Sequence, residues 1–105
     1  MSISIERRDL YARLLAMSQE AMEKEHYEVA YHSLSAALHF AQDTRDAERL
    51  DEVADIALSQ LAYINANAPS NLMSSNSAAK RSGVDMYEML ARMAEMRAKM
   101  IRGTD

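Results

Sequence analysis

The sequence predicts an all-α fold, an antiparallel helical bundle of about four helices. Strong helix formers dominate the chain, and its 105 residues hold only two glycines, one proline and 6% aromatic residues. Apolar residues also recur at steps of three and four, the period of an amphipathic helix. A chain of this length forms one domain around a single core.

The first helix is expected to begin after Ser4, a residue type that caps helix N-termini. The polar residues 23–26 mark its end. Between them, apolar side chains at steps of four, three and four are predicted to form its apolar stripe: Leu10, Leu14, Met17 and Ala21.

The second and third helices carry longer stripes. The second has Tyr27, Ala30, Tyr31, Leu34, Ala37, Leu38 and Ala41 on one face, and the turn-prone Asp43 and Thr44 follow it. The third is expected to begin near Asp46 and to end before Pro69, with Leu50, Val53, Ala54, Ala57, Leu61 and Ile64 on one face. Because the connections are short, residues 1–66 are predicted to form an antiparallel three-helix core.

Residues 67–82 are rich in Ser and Asn and lose the helical period, so they are predicted to form a loop, either a mobile linker or a functional segment. Residues 83–105 form the last predicted unit. Its helix is expected to open at Asp85, with Glu88 three residues later as in a capping box, and to run to Gly103.

Residues 14–42 resemble one tetratricopeptide unit, a helix–turn–helix of about 34 residues. In that family a large residue opens the first helix, a hydrophobic–small pair follows one turn later, and a tyrosine follows the turn. Leu14, Met17, Ser18 and Tyr27 stand at these positions, and Ala30, Leu34 and Ala37 provide the small–large–small steps of the second helix.

The chain departs from this pattern at three positions. Ala21, Glu25 and Gln42 stand where the family has tyrosine, glycine and proline. The resemblance implies a peptide- or protein-binding scaffold, although a concave binding groove in this family needs several stacked units.

Charge and composition exclude several function classes. The net charge is −4: residues 1–79 carry six basic and twelve acidic side chains, and residues 80–105 carry six and four. An acidic body lacks the basic patch that nucleic-acid binding requires. The absence of cysteine excludes thiolate metal sites and nucleophilic thiols. No apolar run spans a bilayer and the N-terminus lacks a secretory pattern, so a cytoplasmic location is expected.

The predicted last helix carries five of the nine methionines at steps of three, four, three and four, the rhythm of a bundle or coiled-coil seam: Met86, Met89, Met93, Met96 and Met100. Methionine is flexible and polarizable, so such a row can pack against varied surfaces. The row either closes the core over the first three helices or docks outside the chain, in a homodimer or in a partner's groove. A membrane-surface role is weaker, because acidic side chains interrupt the helix and Trp is absent.

The histidines offer a second hypothesis. His32 and His39 lie two turns apart on one predicted helix, and Asp43 lies one turn beyond His39, an arrangement that a third ligand could complete into a metal site. No phosphate-binding loop, nucleophile elbow or His-Glu-x-x-His motif occurs, so an enzyme is not expected and no cofactor is assigned.

The sequence therefore predicts a non-enzymatic protein-interaction or adaptor module that self-associates through the last helix. The alternative is a small-molecule or metal-binding regulatory protein that uses His32, His39 and Asp43. The predicted partner contacts are Met86, Met89, Leu90, Met93, Met96 and Met100, with Tyr87 and Arg97 at the rim.

Overall fold

The computed structural model describes residues 9–81 and 83–103, and in this part of the chain all regular secondary structure is helical. Its helices are α1 (Leu10–Glu23), α2 (Tyr27–Asp43), α3 (Ala47–Asn67), α4 (Ser75–Arg81) and α5 (Met86–Gly103). The all-α bundle predicted from the sequence is confirmed. The predicted cap at Ser4 lies outside the described residues, and the N-cap of α1 is Asp9, whose carboxylate accepts the amide N–H of Ala12 at 3.1 Å.

The helices form a slab of two layers. The Cα extents are 43 × 35 × 16 Å, and the shortest has room for two helices stacked at the usual 8–10 Å separation. Helix α1 packs on α2, and α3 packs on α5, while α2 contacts both α3 and α5. Side chains of α1 also reach α3, so α1 and α3 form one layer and α2 and α5 form the other.

Two turns of the same geometry reverse the chain between α1, α2 and α3. In each turn one non-glycine residue has positive φ, Glu25 at 63° and Arg45 at 52°. The amide of the next residue, His26 or Asp46, then donates to a carbonyl of the preceding helix, at 2.8 and 2.9 Å. This is the Schellman motif, which satisfies the last carbonyls of a helix and places the next helix antiparallel.

The stripes predicted for α2 and α3 form the centre of the core. Every residue predicted for these stripes is buried except Tyr31, which is partly buried and packs edge-on against Tyr87 with ring centroids 5.3 Å apart. These two helices have neighbours on several sides, so broad apolar stripes lie within the protein.

The stripe predicted for α1 is rotated relative to the structure. Leu10 and Met17 are about half exposed, whereas Tyr11, Ser18 and Met22 are buried. The Tyr11 hydroxyl lies 2.5 Å from Glu52 Oε1 on α3. Burial, followed by the hydrogen bond to Glu52, raises the pKa of Tyr11 far above its usual range. The amphipathic tyrosine is therefore the inward anchor of α1.

The predicted Ser/Asn-rich loop contains a short helix, α4, and hydrogen bonds tie it to both neighbouring helices. Asn65 near the end of α3 accepts the Ser75 amide N–H at 2.8 Å, and the Ser75 hydroxyl donates to Asp85 Oδ2 at 2.5 Å. Met73 and Ala78 are buried. Residues 75–81 of the predicted loop are therefore helical, and Ser and Asn side chains beside them bond to nearby backbone and build capped turns.

Candidate interaction surface

Helix α5 begins where the sequence predicts. The Asp85 carboxylate accepts the Glu88 amide N–H at 3.1 Å and caps the helix, which continues to Gly103. At the other end, Arg102 Nη2 lies 2.7 Å from Asp51 Oδ2 on α3. Together with the hydrogen bond from Ser75 to Asp85, this ion pair joins both ends of α5 to other parts of the chain.

The inward face of α5 is built from three alanines and three larger residues. The buried side chains recur at helical spacing: Tyr87, Leu90, Ala91, Ala94, Ala98 and Ile101. Alanine side chains let two helix backbones approach closely, so this row suits dense packing of α5 on α3.

A buried hydrogen-bond chain fixes α5 to the other layer. The Tyr87 hydroxyl donates to Gln60 Oε1 at 2.8 Å, and Gln60 Nε2 donates to Ser18 Oγ at 2.9 Å. Ser18 Oγ in turn donates to the carbonyl oxygen of Ala30 at 2.8 Å. The chain therefore joins α5, α3, α1 and α2, and burial raises the pKa of Tyr87 well above its usual range.

Four of the five methionines of α5 face away from this core, and Met93 packs against its edge. We call Met86, Met89, Met93, Met96 and Met100 the Met row. Met86, Met89, Met96 and Met100 expose 36%, 52%, 61% and 62% of their surface, and Met93 is partly buried. The expectation that the row closes the core is wrong, because the alanine-rich face of α5 does so.

Two residues predicted as partner contacts lie in the core instead. Tyr87 was expected at the rim of the surface and is fully buried, and Leu90 is 3% exposed. Both sit on the inward face, because at about 100° per residue Tyr87 lies about 140° and Leu90 about 80° around the helix from the centre of the Met row. Arg97 lies beside the row and is partly exposed, as a rim position requires.

Charged residues border the Met row on both sides. On one edge, Asp85, Arg92 and Lys99 follow one another at seven-residue steps, and Arg92 Nη2 lies 2.7 Å from Glu88 Oε1. On the other edge, a shallow depression of about 220 Å³ separates the end of α5 from the α2–α3 turn, and its lining is Gln42, Arg45, Arg97, Met100 and Ile101. The surface is an apolar ridge with polar margins, the usual composition of a protein contact.

A second depression lies between α1 and α3. It also measures about 220 Å³, and its lining is Gln19, Met22, Glu23, Ser59, Gln60 and Tyr63. Gln60 is already bonded to Ser18 and Tyr87, and Glu23 is the one carboxylate of this lining.

The histidine hypothesis gains no support from the positions of its residues. His32, His39 and Asp43 are exposed on α2, and His32 Nε2 lies 3.8 Å from Glu28 Oε1 on the same helix. Among the described residues, no three His, Cys, Asp or Glu side chains are close enough together to hold a metal ion. In the same part of the chain, no helix is long and apolar enough to cross a membrane.

Sequence reasoning missed the polar anchor of α5. Gln60 and Ser18 are polar residues on helix faces that otherwise carry apolar side chains. Gln60 was not singled out, and Ser18 was named only as a small residue of the tetratricopeptide-like pair. The position of Gln60 in the sequence could have identified it, since it falls between Ala57 and Ile64 on the apolar stripe of α3.

Comparisons with protein-family models, with curated proteins and with solved structures find no match for this chain.

Proposed function

We propose that this protein is a non-enzymatic protein-interaction module whose contact surface is the Met row, and that it self-associates through that row. The observation that carries the proposal is the orientation of α5. Its alanine-rich face is packed in the core, while four of its five methionines are exposed on one side and the fifth, Met93, is partly buried against the core.

A continuous exposed apolar row is uncommon on a protein that has no partner. The other large exposed apolar side chains of the described residues number at most two on any helix: Leu10 and Met17 on α1, Val29 on α2, Leu58 and Tyr63 on α3, and Leu72 and Val84 outside the helices. One or two exposed residues on a helix are ordinary, whereas a longer row at coiled-coil rhythm presents anchors for another helix.

The attachment of α5 supports a rigid docking surface. The Tyr87–Gln60 hydrogen bond and the Arg102–Asp51 ion pair hold the helix against α3. A surface held in its binding conformation loses less conformational entropy on association. The two-layer arrangement is consistent with the scaffold role that the resemblance of residues 14–42 to a tetratricopeptide unit implies.

Matched methionine substitutions test the proposal. Met89 and Met17 are each 52% exposed, but only Met89 belongs to the row. We expect the parent protein and Met17→Lys to associate equally in sedimentation and light-scattering measurements, and Met89→Lys to remain monomeric at the same concentration. Circular dichroism should show the same helix content for all three proteins.

A point substitution is a cleaner test than removal of α5. Truncation before Asp85 would expose the α3 face that α5 covers and leave Gln60 without Tyr87, so loss of association could follow from unfolding. If Met89→Lys and Met96→Lys associate as the parent does, the Met row is not the contact surface and the proposal is wrong.

A further inference from the structure

We propose that two copies of this chain pair through α5 in antiparallel orientation, about a two-fold axis near Met93. This inference rests on the proposed function, because it names the occupant of the Met row and the orientation of that occupant. The spacing gives the first reason. Met93 lies midway between Met86 and Met100, so reversing the helix about Met93 places Met86 of one copy opposite Met100 of the other. Met89 and Met96 then lie within one residue of each other's positions.

The charged edge of the row gives the second reason. Asp85, Arg92 and Lys99 each precede a row residue, the position that flanks the seam when two helices pair. In antiparallel pairing this edge faces the same edge of the second copy. Asp85 of each copy then lies opposite Lys99 of the other, which gives two attractive pairs.

The centre of that edge carries one unfavourable contact. Arg92 would approach Arg92 of the second copy, but each guanidinium already lies 2.7 Å from the Glu88 carboxylate of its own helix. This local pairing offsets the positive charge at the axis.

Parallel pairing is less favourable because the charged edge would face the opposite edge, whose charged residue is Arg97. Arg92 would then meet Arg97 of the second copy on both sides of the seam, and no pair of opposite charges would form. Parallel alignment would also place the two helix dipoles side by side in the same direction, whereas antiparallel alignment opposes them. Charge complementarity therefore selects the antiparallel arrangement.

The absence of cysteine permits a direct test. Single variants Met86→Cys, Met93→Cys and Met100→Cys each carry one thiol, which a short bis-maleimide can link to a second copy. In antiparallel pairing, residues seven positions from the axis are separated from their own copies by about 21 Å along the helix. We expect Met93→Cys to form a covalent dimer, Met86→Cys and Met100→Cys to stay uncoupled alone, and an equal mixture of the last two to couple.

The control variant Met17→Cys should give no covalent dimer, because it has the exposure of a row residue but lies on α1. Coupling of Met86→Cys and Met100→Cys each with itself would overturn the antiparallel inference and leave the proposed function standing. Association of the parent without coupling at any row position would overturn both. A parent that is monomeric at every concentration tested would also overturn both.

A charge substitution tests the second reason independently. Lys99→Glu would place a carboxylate opposite Asp85, so we expect the dimer dissociation constant to rise at least threefold at low salt. The control Lys80→Glu makes the same charge change on α4, outside the paired helix, and should leave the constant unchanged. Equal dissociation constants for the two variants would contradict the predicted Asp85–Lys99 pairing.

Discussion

The two apolar faces of α5 differ in side-chain size and in surroundings. The inward face consists mainly of alanine, with Tyr87, Leu90 and Ile101, and is buried. The outward face consists of methionine and is largely exposed. Apolar residues recur at helical spacing on both faces, so hydrophobic periodicity alone does not tell which face is buried in the core.

The difference is explained by how closely α5 approaches α3. Small side chains at Ala91, Ala94 and Ala98 bring the two backbones together, and methionine at these positions would overfill the space. The larger and more flexible residues occupy the outer side, where they can adapt to another surface. Stability and association are therefore expected to depend on different faces of the same helix.

The largest expected effect on stability is at Leu90. Leu90→Ala removes a side chain that is 3% exposed and leaves a cavity against the core, so we expect the free energy of unfolding to fall by about 2–5 kcal/mol. Urea denaturation followed by circular dichroism measures this change.

Leu58→Ala is the matched control, since Leu58 is 45% exposed on α3. Its substitution should change the free energy of unfolding by no more than about 0.5 kcal/mol. Equal losses for the two variants would show that α5 does not pack by its alanine-rich face.

A smaller loss is expected for Tyr87→Phe, which keeps the ring and removes the hydroxyl that donates to Gln60 Oε1. The buried amide oxygen would lose its donor, and we expect the free energy of unfolding to fall by about 1–3 kcal/mol. The control is Tyr63→Phe, because Tyr63 is exposed on α3, and it should have little effect.

The free energy of unfolding of the same variant should also depend on pH differently from that of the parent. Burial raises the pKa of Tyr87 in the folded protein above the unfolded value near 10, so folding favours the neutral phenol. This contribution to stability is complete below pH 10 and is lost as the pH rises beyond it. Between pH 9 and 11, the free energy of unfolding of Tyr87→Phe should therefore fall less than that of the parent, although Tyr11 still contributes in both proteins. If urea denaturation gives the same fall for both proteins, Tyr87 is not a buried phenol.

The central helices were predictable and the outer ones were only partly so. The stripes of α2 and α3 were predicted correctly because these helices contact neighbours on several sides, so that their broad apolar stripes are buried in the core. The start of α5 at Asp85 was also correct, since Asp at an N-cap has a local cause that tertiary packing does not change.

On the outer helices α1 and α5, the predicted row differs from the row that the structure buries. Met17 and Met96 are exposed, while Ser18 and Ala94 are buried beside other helices. Alanine and serine contribute little to a hydrophobicity pattern, so close packing by small residues is weakly visible in sequence. The position of the Met row was predictable, but the direction that it faces depends on how closely the helices approach.

Oxidation of single methionines is the smallest perturbation considered, and its rate is expected to differ between exposed and buried side chains. Peroxide converts an exposed thioether into a polar sulfoxide, and the rate follows exposure. In dilute monomeric protein, we expect Met96 and Met100 to react fastest and the buried Met22 and Met73 slowest, with peptide mass spectrometry as the measurement.

The comparison of Met89 with Met17 then tests whether the row is covered. Both are 52% exposed in the single chain, so their rates should be equal at high dilution. At concentrations where the protein associates, Met89 should react severalfold more slowly than Met17, because a second copy would shield the row and leave α1 open. Equal rates at every concentration would mean that the Met row stays exposed and that any association uses another surface.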